Sequence, residues 1–176
     1  MPIPPTFTDH RKRLAELKTA ENLVVMTLRL WAEPLRDPEK AHPHWQDGLT
    51  AAGLSNDAAV AFDTVMRVTI AAALRPLDVH RPACPALGTD EARLLGMIRL
   101  IQQDRHGDAG VLLADWLAMS GVRMALAPLC ILAHALERAG LSLPTPRKDA
   151  SDAGRVIDFP QSQRMARTDP GARLLH

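Results

Sequence analysis

A proline-interrupted segment in the middle of the chain limits the fold more than any other feature. Residues 75–91 read RPLDVHRPACPALGTDE and contain Pro76, Pro82 and Pro85. Each proline lacks a backbone donor and pushes the preceding residue toward extended geometry, so the segment cannot be a regular helix. Four of its residues are nonetheless apolar: Leu77, Val79, Cys84 and Leu87. We therefore expect a central crossover that lies against a core and separates two helical halves.

The composition on either side of this crossover favours helices. Ala and Leu dominate, Tyr is absent and only three Phe occur, whereas strands favour β-branched and aromatic residues. A chain of 176 residues is enough for one domain with a real core. The prediction is an all-α fold, a single bundle of five to six helices with a Pro-rich central crossover. We expect an N-terminal arm at residues 1–8, the helical domain at 9–144 and a flexible C-terminal tail at 145–176.

Apolar spacing and capping residues locate the helices. The pattern predicts a short helix ending at Gly53 and longer helices over residues 9–33, 56–74, 90–105, 108–119 and 121–139. Ile70 is expected in the buried stripe of the helix at 56–74, and Pro128 is expected to kink or interrupt the last helix.

The second half of the first helix is apolar almost all the way round. A helix of this kind is either central in the fold or half covered by another subunit. The sequence therefore predicts a homo-oligomer, such as a homodimer, that buries an apolar surface. Its expected interface residues are Leu23, Val25, Met26, Leu30 and Trp31.

Charge and cysteine content disfavour several partners. A formal net charge of +1 gives no overall attraction to nucleic acid or to anionic membranes, and two cysteines fit a reducing compartment. The N-terminus lacks the basic-then-apolar order of a signal peptide. The longest uncharged apolar run, residues 124–136, is shorter than the ~20 residues that span a bilayer. We expect a cytoplasmic protein with no membrane partner.

Three stretches carry a resemblance to known proteins. They are PLDVHRPACPALGTDEARLL at residues 76–95, NLVVMTLRLW at 22–31 and LERAGLSLP at 136–144. With them, residues 10–144 resemble small all-helical bacterial proteins of uncharacterised function. The resemblance implies a helical, cytoplasmic protein and brings no activity with it.

Each cysteine has a histidine four residues away, at His80/Cys84 and Cys130/His134. On a helix this spacing places Cys130 and His134 on one face, and the four side chains would form a tetrahedral zinc site if the crossover packed over the last helix. Cysteine is more often a small buried hydrophobe, so packing is the preferred interpretation.

Two other stretches have a functional outline. Residues 109–127 resemble a helix-turn-helix, but Arg123 alone cannot supply the cationic contacts that DNA binding requires. His106 lies between Asp104 and Asp108, as a general base can. The same pattern has a purely structural explanation, in which His106 lies in the last turn of one helix and Asp108 caps the next.

The motif content disfavours an enzyme. The sequence contains no GxSxG, P-loop, GxGxxG or HExxH motif. We therefore expect a non-enzymatic interaction or regulatory module without a cofactor. Its tail carries Val156, Ile157 and Phe159, which could bind a groove on a protein partner as an added strand. A zinc-binding protein and a DNA-binding regulator are the alternatives.

Overall fold

The predicted all-α fold is confirmed by a computed structural model that describes residues 13–145. The chain divides into two units, residues 1–145 and 146–176, and the described residues belong to the first. Within them a 3₁₀ turn at Leu14–Glu16 precedes six helices. These are α1 (Thr19–Arg36), α2 (Trp45–Ala51), α3 (Asn56–Ala72), α4 (Thr89–Gln102), α5 (His106–Leu113) and α6 (Met119–Arg138).

Helix α6 is central to the core because it packs against α3, α4 and α5. Its inward side chains are buried: Val122, Ala125, Leu129, Leu132, Ala133 and Leu136. At its first turn a Cβ on Gly121 would lie 2.9 Å from the Ala72 Cβ, so the glycine permits close approach to the end of α3. By length and composition α6 could also cross a membrane, but a core helix has the same properties.

Several helix boundaries differ from the prediction. The first long helix begins at Thr19 rather than near residue 9, because the Glu21 carboxylate accepts a 2.9 Å hydrogen bond from the Lys18 backbone and closes the N-terminus there. The same helix continues past Pro34 to Arg36, since a proline in the last turn removes only one helical hydrogen bond. Helix α6 likewise runs through Pro128 without interruption.

The crossover, residues 73–88, is held by a buried ion pair between Arg29 of α1 and Glu91 of α4. Both side chains are 0% exposed, and two hydrogen bonds of 2.8 Å join the guanidinium to the carboxylate. The other three guanidinium protons are donated to backbone carbonyls of the crossover, at Arg81, Cys84 and Ala86. All five donors of Arg29 are thus used.

The Glu91 carboxylate is satisfied from the opposite side. It accepts hydrogen bonds from the backbone N–H of Gly88 at 2.7 Å and of His80 at 2.9 Å. The bond from Gly88 also closes the first turn of α4. One glutamate therefore fixes a helix start, an arginine and the middle of the crossover together.

Replacing Arg29 by Met should destabilise the protein by about 3–5 kcal/mol, because it leaves the Glu91 charge buried without its partner. Lys40→Met is the matched control, since Lys40 pairs with Asp37 at the surface and its loss should have little effect. Urea unfolding followed by far-UV circular dichroism measures both. A loss below about 1 kcal/mol for Arg29→Met would contradict the role assigned to the pair.

Candidate functional site

An apolar groove runs between α1 and α3 and ends at the crossover. It consists of two adjoining cavities of about 300 and 490 Å³ that share Trp31, Leu35 and Ile70. We call this the α1–α3 groove. Its lining residues come from α1 and its C-terminal turn (Leu28, Trp31, Ala32, Pro34, Leu35, Arg36), from Trp45 of α2, from α3 (Asp63, Met66, Arg67, Thr69, Ile70) and from the crossover (Ala73, Arg75, Pro76, Leu77, Val79).

The floor of the groove is core and its rim is exposed. Leu28 and Met66 are buried, whereas the side chains of Leu35 and Ile70 are 60% and 58% exposed. Helix α1 packs on α2 and α4 while α3 packs on α6 and α2, which leaves the space between α1 and α3 open. Large apolar residues therefore meet solvent along both edges of a concave apolar surface.

Polar contacts tie the walls of the groove together. The Trp31 indole Nε1 donates a 2.9 Å hydrogen bond to Asp63 Oδ1, which joins α1 to α3. Arg36 donates to the carbonyls of Val79 and His80, which joins α1 to the crossover, whereas the Thr69 hydroxyl is satisfied within α3 by the carbonyl of Val65.

At the crossover end, Arg75 forms a bidentate pair with the buried carboxylate of Asp90. Both hydrogen bonds are 2.7 Å long. Asp90 also accepts from the Trp116 indole and the Asp78 backbone N–H. Burial raises the pKa of Asp90, but the hydrogen bonds from Arg75, Asp78 and Trp116 outweigh it and hold the pKa below its ordinary value of 3.8.

The predicted interface residues differ in burial. Val25 is 0% exposed and belongs to the core, so its assignment to an interface is corrected: the inward face of α1 includes it. Leu23 is partly buried beside Gly48 of α2, and Met26 and Leu30 are half-buried. Trp31 alone of the five lines the groove.

Sequence reasoning missed the two exposed rim residues. The sequence predicts that the first helix ends before Pro34. The helix instead continues to Arg36, and this last turn exposes Leu35 to solvent. Ile70 was assigned to the buried stripe of α3, but Met66 and Thr69 occupy that stripe and Ile70 faces outward. The stretch at 68–74 is apolar except for Thr69, and its pattern gives no signal that Ile70 and Leu74 are exposed.

The two Cys/His pairs do not meet. Cys84 Sγ lies 3.4 Å from His80 Nδ1, whereas Cys130 Sγ lies 3.5 Å from His106 Nδ1. The predicted arrangement of four ligands is therefore corrected, because the crossover carrying Cys84 is held against α1 by Arg29 and does not lie over Cys130 and His134.

A different cluster forms instead, from residues that the sequence presented as two separate patterns. The cluster consists of Asp104, His106 and His134, whose potential ligand atoms all lie within 4.8 Å of one another. Among residues 13–145 it is the only group of three or more potential metal ligands this close together. His106 is the first residue of α5 and not, as expected, in the last turn of α4. Asp108 does not join the cluster and pairs with Arg105.

The region with the helix-turn-helix outline is part of the core. α5 and α6 are joined by a short turn, but Gly121 and Val122 in the first turn of α6 are buried, and Gly121 packs on Ala72. A recognition helix must insert its N-terminal part into the major groove of DNA. The packing of α6 leaves Met119, Ser120, Arg123 and Met124 exposed there, and Arg123 is the one cation among them, so the geometry does not favour this alternative.

The tail residues Val156, Ile157 and Phe159 lie outside the described residues, and their role in partner binding stays a prediction.

No family model matches the chain, and the searches of curated proteins and of solved structures likewise found no significant similarity.

Acid titration should reveal the charge on Asp90. The pKa of Asp90 is lower in the folded protein than in the unfolded chain. The ionised carboxylate therefore stabilises the fold above about pH 4, and this stabilisation is lost as the pH falls through the pKa of the folded state. Asp90→Asn should lower the urea midpoint at neutral pH and make the decline between about pH 5 and pH 3 shallower. Asp108→Asn, which changes an exposed carboxylate, should retain the parental decline. An unchanged decline in Asp90→Asn would contradict the assignment.

Proposed function

We propose that this protein is a non-enzymatic interaction module that self-associates through the α1–α3 groove. The observation that carries the proposal is the combination of an apolar floor with the exposed side chains of Leu35 and Ile70 on its rim. Apolar surface collected in one concave place is typical of an interaction site, whereas single exposed apolar residues are common and need no explanation.

A second copy of the chain suits this face because the face contains both a ridge and a groove. In an isologous dimer each protomer presents the same patch, so the patch must complement itself. Leu35 of one copy can enter the groove of the other and receive the same contact in return. This arrangement withdraws both rim residues from water without any other partner.

The charges on α3 are compatible with a two-fold arrangement. Asp63 and Arg67 lie one turn apart, and Arg67 projects into solvent at the groove. When two copies of α3 run antiparallel across a two-fold axis, Arg67 of each can face Asp63 of the other. The formal net charge of +1 also produces little repulsion between two copies.

The polar groups of the groove support binding rather than catalysis. Arg36, Arg75, Thr69 and the Trp31 indole all donate to partners within the same chain. Groups that are already hydrogen-bonded and oriented in this way hold the walls in place. The surface they leave for a ligand is mainly hydrocarbon, which selects apolar side chains.

Sedimentation equilibrium of the full chain from low to high micromolar concentration tests the proposal. We expect a monomer–dimer equilibrium whose dissociation constant rises at least about tenfold in Leu35→Glu and in Ile70→Glu, because each places a charge in an apolar contact. Val111→Glu is the matched control, since Val111 is 66% exposed on α5 and does not line the groove.

Two results would overturn the proposal. One is a monomeric mass for the parent protein at every concentration. The other is a dimer that Leu35→Glu and Ile70→Glu leave intact while Val111→Glu disrupts it, which would move the interface to α5. Thermal unfolding of each variant confirms that a lost dimer does not reflect a lost fold.

A further inference from the structure

We propose that Asp104, His106 and His134 form a binding site for a divalent first-row transition-metal ion, with Cys130 orienting His106. The site lies where the end of α4, the start of α5 and the C-terminal half of α6 meet. None of these residues lines the α1–α3 groove, so the inference stands independently of the proposed function.

The distances are those of a site that needs only small side-chain movements to close on an ion. His106 Nε2 lies 3.9 Å from Asp104 Oδ1, and the rings of His106 and His134 lie 6.0 Å apart between centroids at an interplanar angle of 66°. Two imidazoles and one carboxylate are a donor set that zinc and other first-row divalent ions accept, with a further position left for water or another ligand.

Cys130 is placed to support a ligand rather than to be one. Its Sγ is 3.5 Å from His106 Nδ1, and an N–H there leaves Nε2, the atom facing Asp104, free to bind metal. Histidine ligands commonly donate their second ring N–H to a neighbouring acceptor, which fixes the tautomer and the ring orientation.

The backbone at Asp104 provides a second observation. Three helices end with a residue at positive φ: Gly53 follows α2, Gly140 follows α6 and Asp104, at φ 57°, follows α4. At each of these ends the next residue donates a hydrogen bond back to the last turn. Glycine is the least strained choice at this position and Asp is tolerated at a small cost, and the aspartate places a carboxylate where it can reach His106.

The positive φ of Asp104 allows a test in which one substitution raises stability and weakens metal binding. Asp104→Gly should raise the thermal midpoint of the metal-free protein, because it relieves the positive φ. It should also weaken zinc binding by at least about tenfold, because it removes a ligand. A residue with only a structural role at this helix end would give the first effect without the second.

Isothermal titration of untagged, chelator-treated full chain with Zn²⁺ gives the affinity. We expect one high-affinity equivalent that is lost in His106→Ala and in His134→Ala and unchanged in His80→Ala, the matched control, because His80 contacts Cys84 elsewhere. Circular dichroism of the metal-free variants confirms their folding. The site would be overturned if the parent protein bound no zinc. It would also be overturned if His106→Ala and His134→Ala bound zinc as tightly as the parent.

Cobalt substitution distinguishes the role of Cys130. With Co²⁺ we expect ligand-field bands without a sulfur-to-metal charge-transfer band. Cys130→Ala should weaken binding about 10- to 100-fold while preserving that spectrum, as outer residues around a metal do. A charge-transfer band that disappears in Cys130→Ala would instead make the sulfur a direct ligand and overturn its orienting role.

Discussion

The buried pair of Arg29 and Glu91 is the constraint on which the rest of the structure depends. It joins α1 to the first turn of α4 between residues 62 positions apart in the sequence. The same Arg29 guanidinium also donates to backbone carbonyls of the crossover. The crossover in turn supplies the end wall of the α1–α3 groove through Pro76, Leu77 and Val79. The shape of the candidate interaction surface therefore depends on this ion pair, which holds the irregular backbone in place.

Helix α4 connects this constraint to the second candidate site. Its first turn carries Asp90 and Glu91, which fix the crossover, and its last turn leads into Asp104, whose carboxylate approaches His106 and lies near His134. The interior of α4 is almost entirely core, with Leu94, Leu95, Ile98 and Ile101 buried. A well-packed helix is a rigid support, so it fixes the backbone from which both sets of side chains project.

The fold class and the crossover could be predicted because each depends on local signals: apolar spacing, capping residues and prolines. The exposure of particular residues could not, since it depends on how each helix is rotated against its neighbours. Val25 and Ile70 illustrate this, because the apolar runs containing them allow several inward faces and tertiary packing selects one. The pairing of Cys130 with His106 rather than with the Cys84 region also depends on contacts distant in sequence, which spacing alone does not specify.

The composition of the crossover explains why a charged pair occupies the core here. Replacing a buried ion pair by apolar residues is often neutral or stabilising, since it avoids desolvating two charges. In this protein the guanidinium of Arg29 also satisfies the carbonyls of Arg81, Cys84 and Ala86, and Glu91 satisfies two backbone N–H groups. An apolar pair would remove these hydrogen bonds from backbone groups that are at least partly shielded from water, and each loss would cost free energy. Within the crossover one backbone hydrogen bond is described, from the Cys84 N–H to the Arg81 carbonyl, so the ion pair supplies many of the hydrogen bonds that a helix or sheet would otherwise provide.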